Sequence, residues 1–265
     1  MIRCKWCNLK NEKYIEYHDK EWCKSNFEDK YLFEMLILES FQAGLSWECV
    51  LNKREDFRKA FDNFDIEKIC NYNDEKIHEL LKNEKIIRNK LKINATINNS
   101  KIFKKIQNEY GTFHNYLKTF TNDVIIYEID KTTNQLSDDL SKDLQKRGMK
   151  FVGSTIIYSY LQAIGIIYSH DKECFMYYQA FVSYVDSLNQ VYQCESVKNQ
   201  KYYCWVYEDE KYCILEEIYN SMKSGQFNEQ NRYRNFNNYV NEKLSDIEYP
   251  EQFSHDGISS YEDGI

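Results

Sequence analysis

Hydrophobic residues are densest over residues 32–51, LFEMLILESFQAGLSWECVL. Leu32, Phe33, Met35, Leu36, Ile37 and Leu38 cover nearly every side of a 3.6-residue period, the pattern of a helix buried all round. Glu39 ends that run. A carboxylate there must find a donor or accept a raised pKa, because an unpaired buried charge is strongly unfavourable. The chain then turns at Ala43 and Gly44, and Ser46 is placed to cap a second helix with Glu48 in its first turn. Trp47 stands at the junction. Glu39 and Trp47 therefore either wall a pocket that stacks on a flat ligand and binds its edge, or are a helix-end residue and ordinary core.

The apolar stripe continues through Val50, Phe57, Ala60, Phe61 and Phe64 to about residue 64, and Asp65 reads as the cap of a helix over 66–70. The periodicity predicts further helices over 74–82 and 86–110, the latter stopped by Gly111. A short helix follows over 112–120. Residues 121–135 look like connecting chain with one strand-like piece at 124–126. Ser137 begins a helix that ends at Gly148, and residues 153–168 form a buried apolar helix. No strand pattern of any length is visible, so the body, residues 1–178, is predicted to be all-α. Residues 179–265 differ in character, with a helical-looking stretch at 214–224 and an end, 255–265, expected to be disordered. Their fold is not evident from the pattern.

Charge separates the same two parts. Residues 1–180 hold 28 Lys and Arg against 27 Asp and Glu, net +1, whereas 181–265 hold 7 against 15, net −8. A near-neutral body can bind nucleic acid through a local basic patch, but phosphate would repel the tail. Lys142, Lys146 and Arg147 end a helix, where they either complement its dipole or contact phosphate. There is no run of eighteen apolar residues and no secretory leader, so a cytoplasmic protein without membrane association is expected. Nine irregularly spaced cysteines, among them Cys194, Cys204 and Cys213 in the tail, then argue for thiols and a metal site rather than a disulfide framework.

Cys4 and His18 lie near the N-terminus; His170 and Cys174, four apart, follow the last apolar helix. Two thiolates and two imidazoles make the closed tetrahedral set that structural zinc prefers. Cys4 with Cys7 offers an alternative pair, and unligated thiols are the simplest reading.

The run RCKWC at 3–7, YIEYHDKEW at 14–22, the 32–47 hairpin, VLNKREDFRKAF at 50–61, IIRNKLKI at 86–93 and KRGMKFVGSTIIYSYLQAIGIIYSH at 146–170 resemble, in order and spacing, the bacterial DNA-3-methyladenine glycosylase I family. The resemblance covers about residues 1–178. It implies an all-α, helix-hairpin-helix type glycosylase that removes 3-methyladenine from alkylated double-stranded DNA and leaves an abasic site. It also implies a structural zinc held by Cys4, His18, His170 and Cys174, joining the two ends of the body. The family's base pocket falls on Glu39, Tyr17 and Trp47, with Trp6, Tyr14 and Trp22 around it. Lys85, Arg88, Lys146 and Arg147 are the expected DNA contacts. Lys85 and Leu91 stand where the family has glycines, as does Cys23. A monomer is expected. The alternative is a catalytically weakened base- or DNA-binding module whose C-terminal segment recruits a protein partner.

Overall fold

The computed structural model describes residues 2–121, 126–171 and 173–177, the strands within 192–215 and at 247–248, and residue 220. The chain divides into two compact units, Lys5–His170 and a second comprising Met1–Cys4 with Asp171–Ile265.

The first unit is mostly helical. Asn11 caps α1 (Glu12–Lys20), and its side chain accepts from the Lys13 amide. The apolar run folds as α2 (Asp29–Gln42), buried from Leu32 through Phe41. Ser46 caps α3 (Trp47–Asn52), accepting from the Cys49 amide, as its position predicts. The stripe that follows breaks into α4 (Arg54–Ala60) and a 3-10 turn, Asp62–Phe64, whose three residues all have positive φ. Next come α5 (Ile66–Cys70), capped by Asp65, α6 (Asp74–Lys82) and α7 (Lys90–Tyr110), closed by Gly111 at φ 84°. Residues 86–89 are not helical; the helix starts where Asn89 accepts from the Lys92 amide.

The later elements depart further from the pattern. Helix α8 is Phe113–Thr121. Helix α9 (Gln135–Lys146) begins before Ser137, which sits at its third position and completes a capping box with Asn134. Helix α10 spans only Ser154–Ala163. Two residues past its end, Gly165 takes φ 78°, and a Cβ there would lie 2.4 Å from backbone atoms of Lys24 and Ser25, so the position demands glycine. The chain beyond runs as a two-residue strand, β2 (Ile167–Tyr168), parallel to β1 (Ile126–Tyr127). The strand-like piece near residue 126 is thus present, while 122–125 lie outside the described residues. The expectation of a purely helical body is corrected by this strand pair.

In the second unit, β3 (Tyr192–Ser196), β4 (Lys201–Tyr207), β5 (Glu210–Leu215) and β6 (Ile247–Glu248) form an antiparallel sheet in the order β5-β4-β3-β6. Ile214 and Leu215 therefore belong to a strand, not to the helix expected over 214–224. An apolar pair followed by two glutamates and another apolar pair satisfies a helical period, but Tyr202 and Tyr203 of β4 pair with Leu215 and Ile214. The end expected to be disordered lies outside the described residues.

Candidate active site and metal-ligand cluster

Glu39 sits in the last turn of α2, 3% exposed. Its Oε2 is buried with no hydrogen-bond partner, and burial alone raises its pKa to about 8. Burial thus favours the protonated carboxyl at neutral pH. Such a group is costly unless something supplies a donor or positive charge.

Two tyrosines lie near it. Tyr14 and Tyr17 project from α1, and both feel the Glu39 charge. Burial, with Glu39 second, holds the Tyr17 hydroxyl well above its usual range. The Tyr17 and Trp47 rings are 5.3 Å apart at 51°. Trp6 packs edge-on against Tyr14 at 5.3 Å and against Trp22 at 4.7 Å. The indole nitrogens of Trp6 and Trp47 are also buried without partners. One carboxylate oxygen and two indole N–H groups thus lack partners among the rings singled out by the resemblance, a combination suited to a flat, polar-edged ligand.

Both ends of α1 are pinned by residues that periodicity did not single out as structural. At its start, Glu48 Oε1 accepts from the side-chain amides of Asn8 and Asn11, each at 2.8 Å. At its end, Arg54 donates from Nη1 to Glu21 (2.7 Å) and from Nε to Glu34 (2.5 Å), while Arg58 also pairs with Glu34. Glu34 and Arg54 are buried. Lys92 is a third such residue. Buried in α7, it donates from Nζ to the Phe41 and Ala43 carbonyls at 2.7 and 2.6 Å, closing the end of α2 just before the turn to Trp47. Glu34, inside the apolar run of α2, carried the clearest sequence signal, a charge at an otherwise apolar position.

Cys4, His18, His170 and Cys174 are all buried, and their potential ligand atoms lie within 4.8 Å of one another. Cys4 hydrogen-bonds Cys174, which with burial holds its thiol far above the usual range, and its sulfur accepts from the Asp171 amide at 3.3 Å. The His18 and His170 rings are 4.9 Å apart, and His18 Nδ1 lies 2.8 Å from Asp19 Oδ1, a carboxylate placed to orient the ring. Two sulfurs and two imidazole nitrogens at this spacing could hold a metal ion; a tetrahedral ion with metal–sulfur bonds near 2.3 Å separates its sulfurs by roughly 3.8 Å. Cys7 is not in the group; its thiol donates to the Tyr14 carbonyl at 3.8 Å.

The basic residues behave differently from one another. Lys85, Arg88 and Lys146 are exposed. Lys85 lies outside the left-handed region, so nothing in its backbone demands glycine, and its amide donates to Asn83 Oδ1 at 3.0 Å. Arg88 pairs with Glu84 at 3.3 Å. Arg147 is engaged with Asp143 and Glu109, both at 2.6 Å, and its guanidinium lies over the Tyr116 ring at 5.2 Å. Cys23 takes φ 61° and accepts from the Ser169 amide through its buried sulfur. Among the described residues, no helix is long and apolar enough to cross a membrane.

Known proteins share this arrangement of chain. DNA-3-methyladenine glycosylase 1 of Escherichia coli (strain K12) is 40% identical over 184 residues, which are 67% of this chain and 97% of that protein. The DNA-3-methyladenine glycosylase of Haemophilus influenzae (strain ATCC 51907 / DSM 11121 / KW20 / Rd) is 37% identical over 178 residues, 65% and 96% of the two chains. A crystal structure of 3-methyladenine DNA glycosylase I matches with a TM-score of 0.63 at 38% identity, covering 66% of this chain and 98% of that one. A tyrosine variant of 3-methyladenine DNA glycosylase I in complex with 3-methyladenine matches with the same TM-score at 32% identity, covering 66% and 96%. The family model for methyladenine glycosylase matches residues 6–177, and the chain belongs to that family.

Proposed function

We propose that the protein is a base-excision repair glycosylase that hydrolyses the N-glycosidic bond of 3-methyladenine in alkylated double-stranded DNA, releasing the base and leaving an abasic site. The observation that carries this reading is the unpartnered Glu39 carboxyl beside Tyr14 and Tyr17, whose rings pack in turn with those of Trp6 and Trp47. N3-methylation makes adenine in DNA cationic and weakens its bond to the sugar, so the enzyme needs little further activation of the leaving group. Flipping the nucleotide out of the stack costs a few kcal/mol, recovered by stacking and hydrogen bonds in the pocket. Aromatic faces favour a cation by about 0.5–2 kcal/mol. Glu39 accepts from the exocyclic amino group, and the positive base draws its pKa down from about 8, so it binds as the anion. Water then bonds to the sugar C1′ as the C–N bond breaks, the electron pair of that bond leaves with the base, which departs neutral, and the proton of the attacking water passes to solvent. No aspartate is assigned to this step.

The four buried ligands suit a structural zinc ion, with no position left open for catalytic water. Metal analysis of the purified protein is expected to find about one zinc per chain; folded protein without metal would remove the assignment. The turn 83–85 leading into α7 is taken as the hairpin of a helix-hairpin-helix element, with Lys85 and Arg88 beside phosphate and Lys146 and Arg147 as further contacts. Residues 1–178 are the glycosylase domain of a cytoplasmic enzyme, and 179–265 an acidic extension. The test is release of free 3-methyladenine from methylated duplex DNA at low salt, wild type beside Glu39→Ala. Release by the wild type and a loss of at least tenfold in the variant are expected. No release by folded wild-type protein would overturn the enzyme reading in favour of a binding module.

A further inference from the structure

The tail sheet brings together three cysteines that the excision chemistry does not use. Strands β4 and β5 are joined by residues 208–209 alone, since Tyr207 pairs with Glu210. The pair that closes a two-residue hairpin exchanges both backbone hydrogen bonds, and pairs then alternate between bonded and non-bonded types. Counting back, Val206 with Lys211 is non-bonded, Trp205 with Tyr212 is bonded, and Cys204 with Cys213 is again non-bonded. At such a pair the Cα atoms lie about 4.5 Å apart, within the roughly 4.4–6.8 Å that a disulfide spans.

Cys194 shares that face of the sheet but not that register. Tyr192 pairs with Cys204, and Cys194, two residues further along β3, pairs with Tyr202. It is therefore diagonal to Cys204, about 7–8 Å away, beyond a disulfide's ordinary reach. The register thus selects one pair of the three.

We propose that Cys204 and Cys213 are a cross-strand thiol pair that peroxide oxidises to a disulfide and a thiol reductant reopens. Hydrogen peroxide takes one thiolate to a sulfenic acid; the second sulfur attacks it, and the bond forms as water leaves. Two thiols and one peroxide give one disulfide and two waters. Two equivalents of glutathione reverse it by exchange, becoming oxidised glutathione as both thiols are restored. In a reducing compartment the resting state is the dithiol, in keeping with the absence of a disulfide framework in the cysteine spacing.

The test uses the full chain, reduced, exposed to hydrogen peroxide in native buffer, alkylated with N-ethylmaleimide and digested with trypsin. Lys211 lies between the two cysteines, so cleavage leaves two peptides held together only by the new bond. A Cys204–Cys213 link that dominates the products, persists in Cys194→Ser and is removed by glutathione is the expected result. Both cysteines remaining alkylatable while other thiols oxidise, or Cys204 linking instead to Cys194, would overturn it. So would an equal yield in urea, because the pairing would then owe nothing to the sheet.

Discussion

Glu39 is the residue at which sequence and structure agree most usefully. An acidic residue ending an apolar run signalled a group whose burial needed a reason, and the structure leaves its Oε2 without a partner. This has a pH signature. Its folded pKa is about 8, raised by burial above the unfolded value near 4.5. Below pH 4.5 both states hold the proton and there is no penalty. Between 4.5 and 8 the folded state binds a proton that the unfolded state has released, so stability falls as pH rises and levels off above 8. The slope attributable to this group approaches about 1.4 kcal/mol per pH unit within that window. Glu39→Gln removes the titration. Its stability relative to wild type is expected to be greater at pH 8 than at pH 5, measured by urea unfolding of the free protein. A difference independent of pH would mean that Glu39 is ionised when folded.

At the scale of elements, caps were the most readable features. Asp65 and Ser46 occupy the positions predicted for them, and Gly111 ends its helix, because these residue types answer local backbone needs. Boundaries set by tertiary contact were not readable. The glycine just past α10 is required by the backbone of Lys24 and Ser25, some 140 residues earlier in the chain, and the strand that follows needs Ile126 and Tyr127 beside it. Lys92 illustrates the same limit: a lysine in the first turn of a helix looks like a surface residue, yet it closes the end of α2. Lys92→Met keeps the length and removes the donor. Leaving two C-terminal carbonyls unsatisfied is expected to cost about 2–3 kcal/mol. Because the same turn leads to Trp47, base affinity should fall as well. Denaturant unfolding and titration with 3-methyladenine read the two effects separately; unchanged stability would show that water replaces the ammonium without loss.

For the whole molecule, family resemblance and composition divided the chain at nearly the same place for different reasons. The resemblance to known glycosylases stops near residue 178, and the charge balance turns acidic from about 181. The match of residues 6–177 to the family, and the coverage of 97% of the Escherichia coli enzyme by 67% of this chain, leave the remaining third without a counterpart there. The strands of that third were not readable because its periodicity is mixed and it holds eleven tyrosines, which suit several environments. If the extension takes no part in excision, deleting residues 181–265 is expected to leave kcat for 3-methyladenine release within about twofold of wild type. The same deletion removes a net charge of −8, computed as 7 basic minus 15 acidic residues. Affinity for duplex DNA should therefore rise, and most at low ionic strength, where repulsion between tail and phosphate is least screened. Single-turnover release and DNA titration across a salt series separate the two consequences. Loss of release by a truncated protein that remains folded would place the extension in the excision machinery, whereas unchanged DNA affinity at every salt concentration would show that its charge lies out of reach of the duplex.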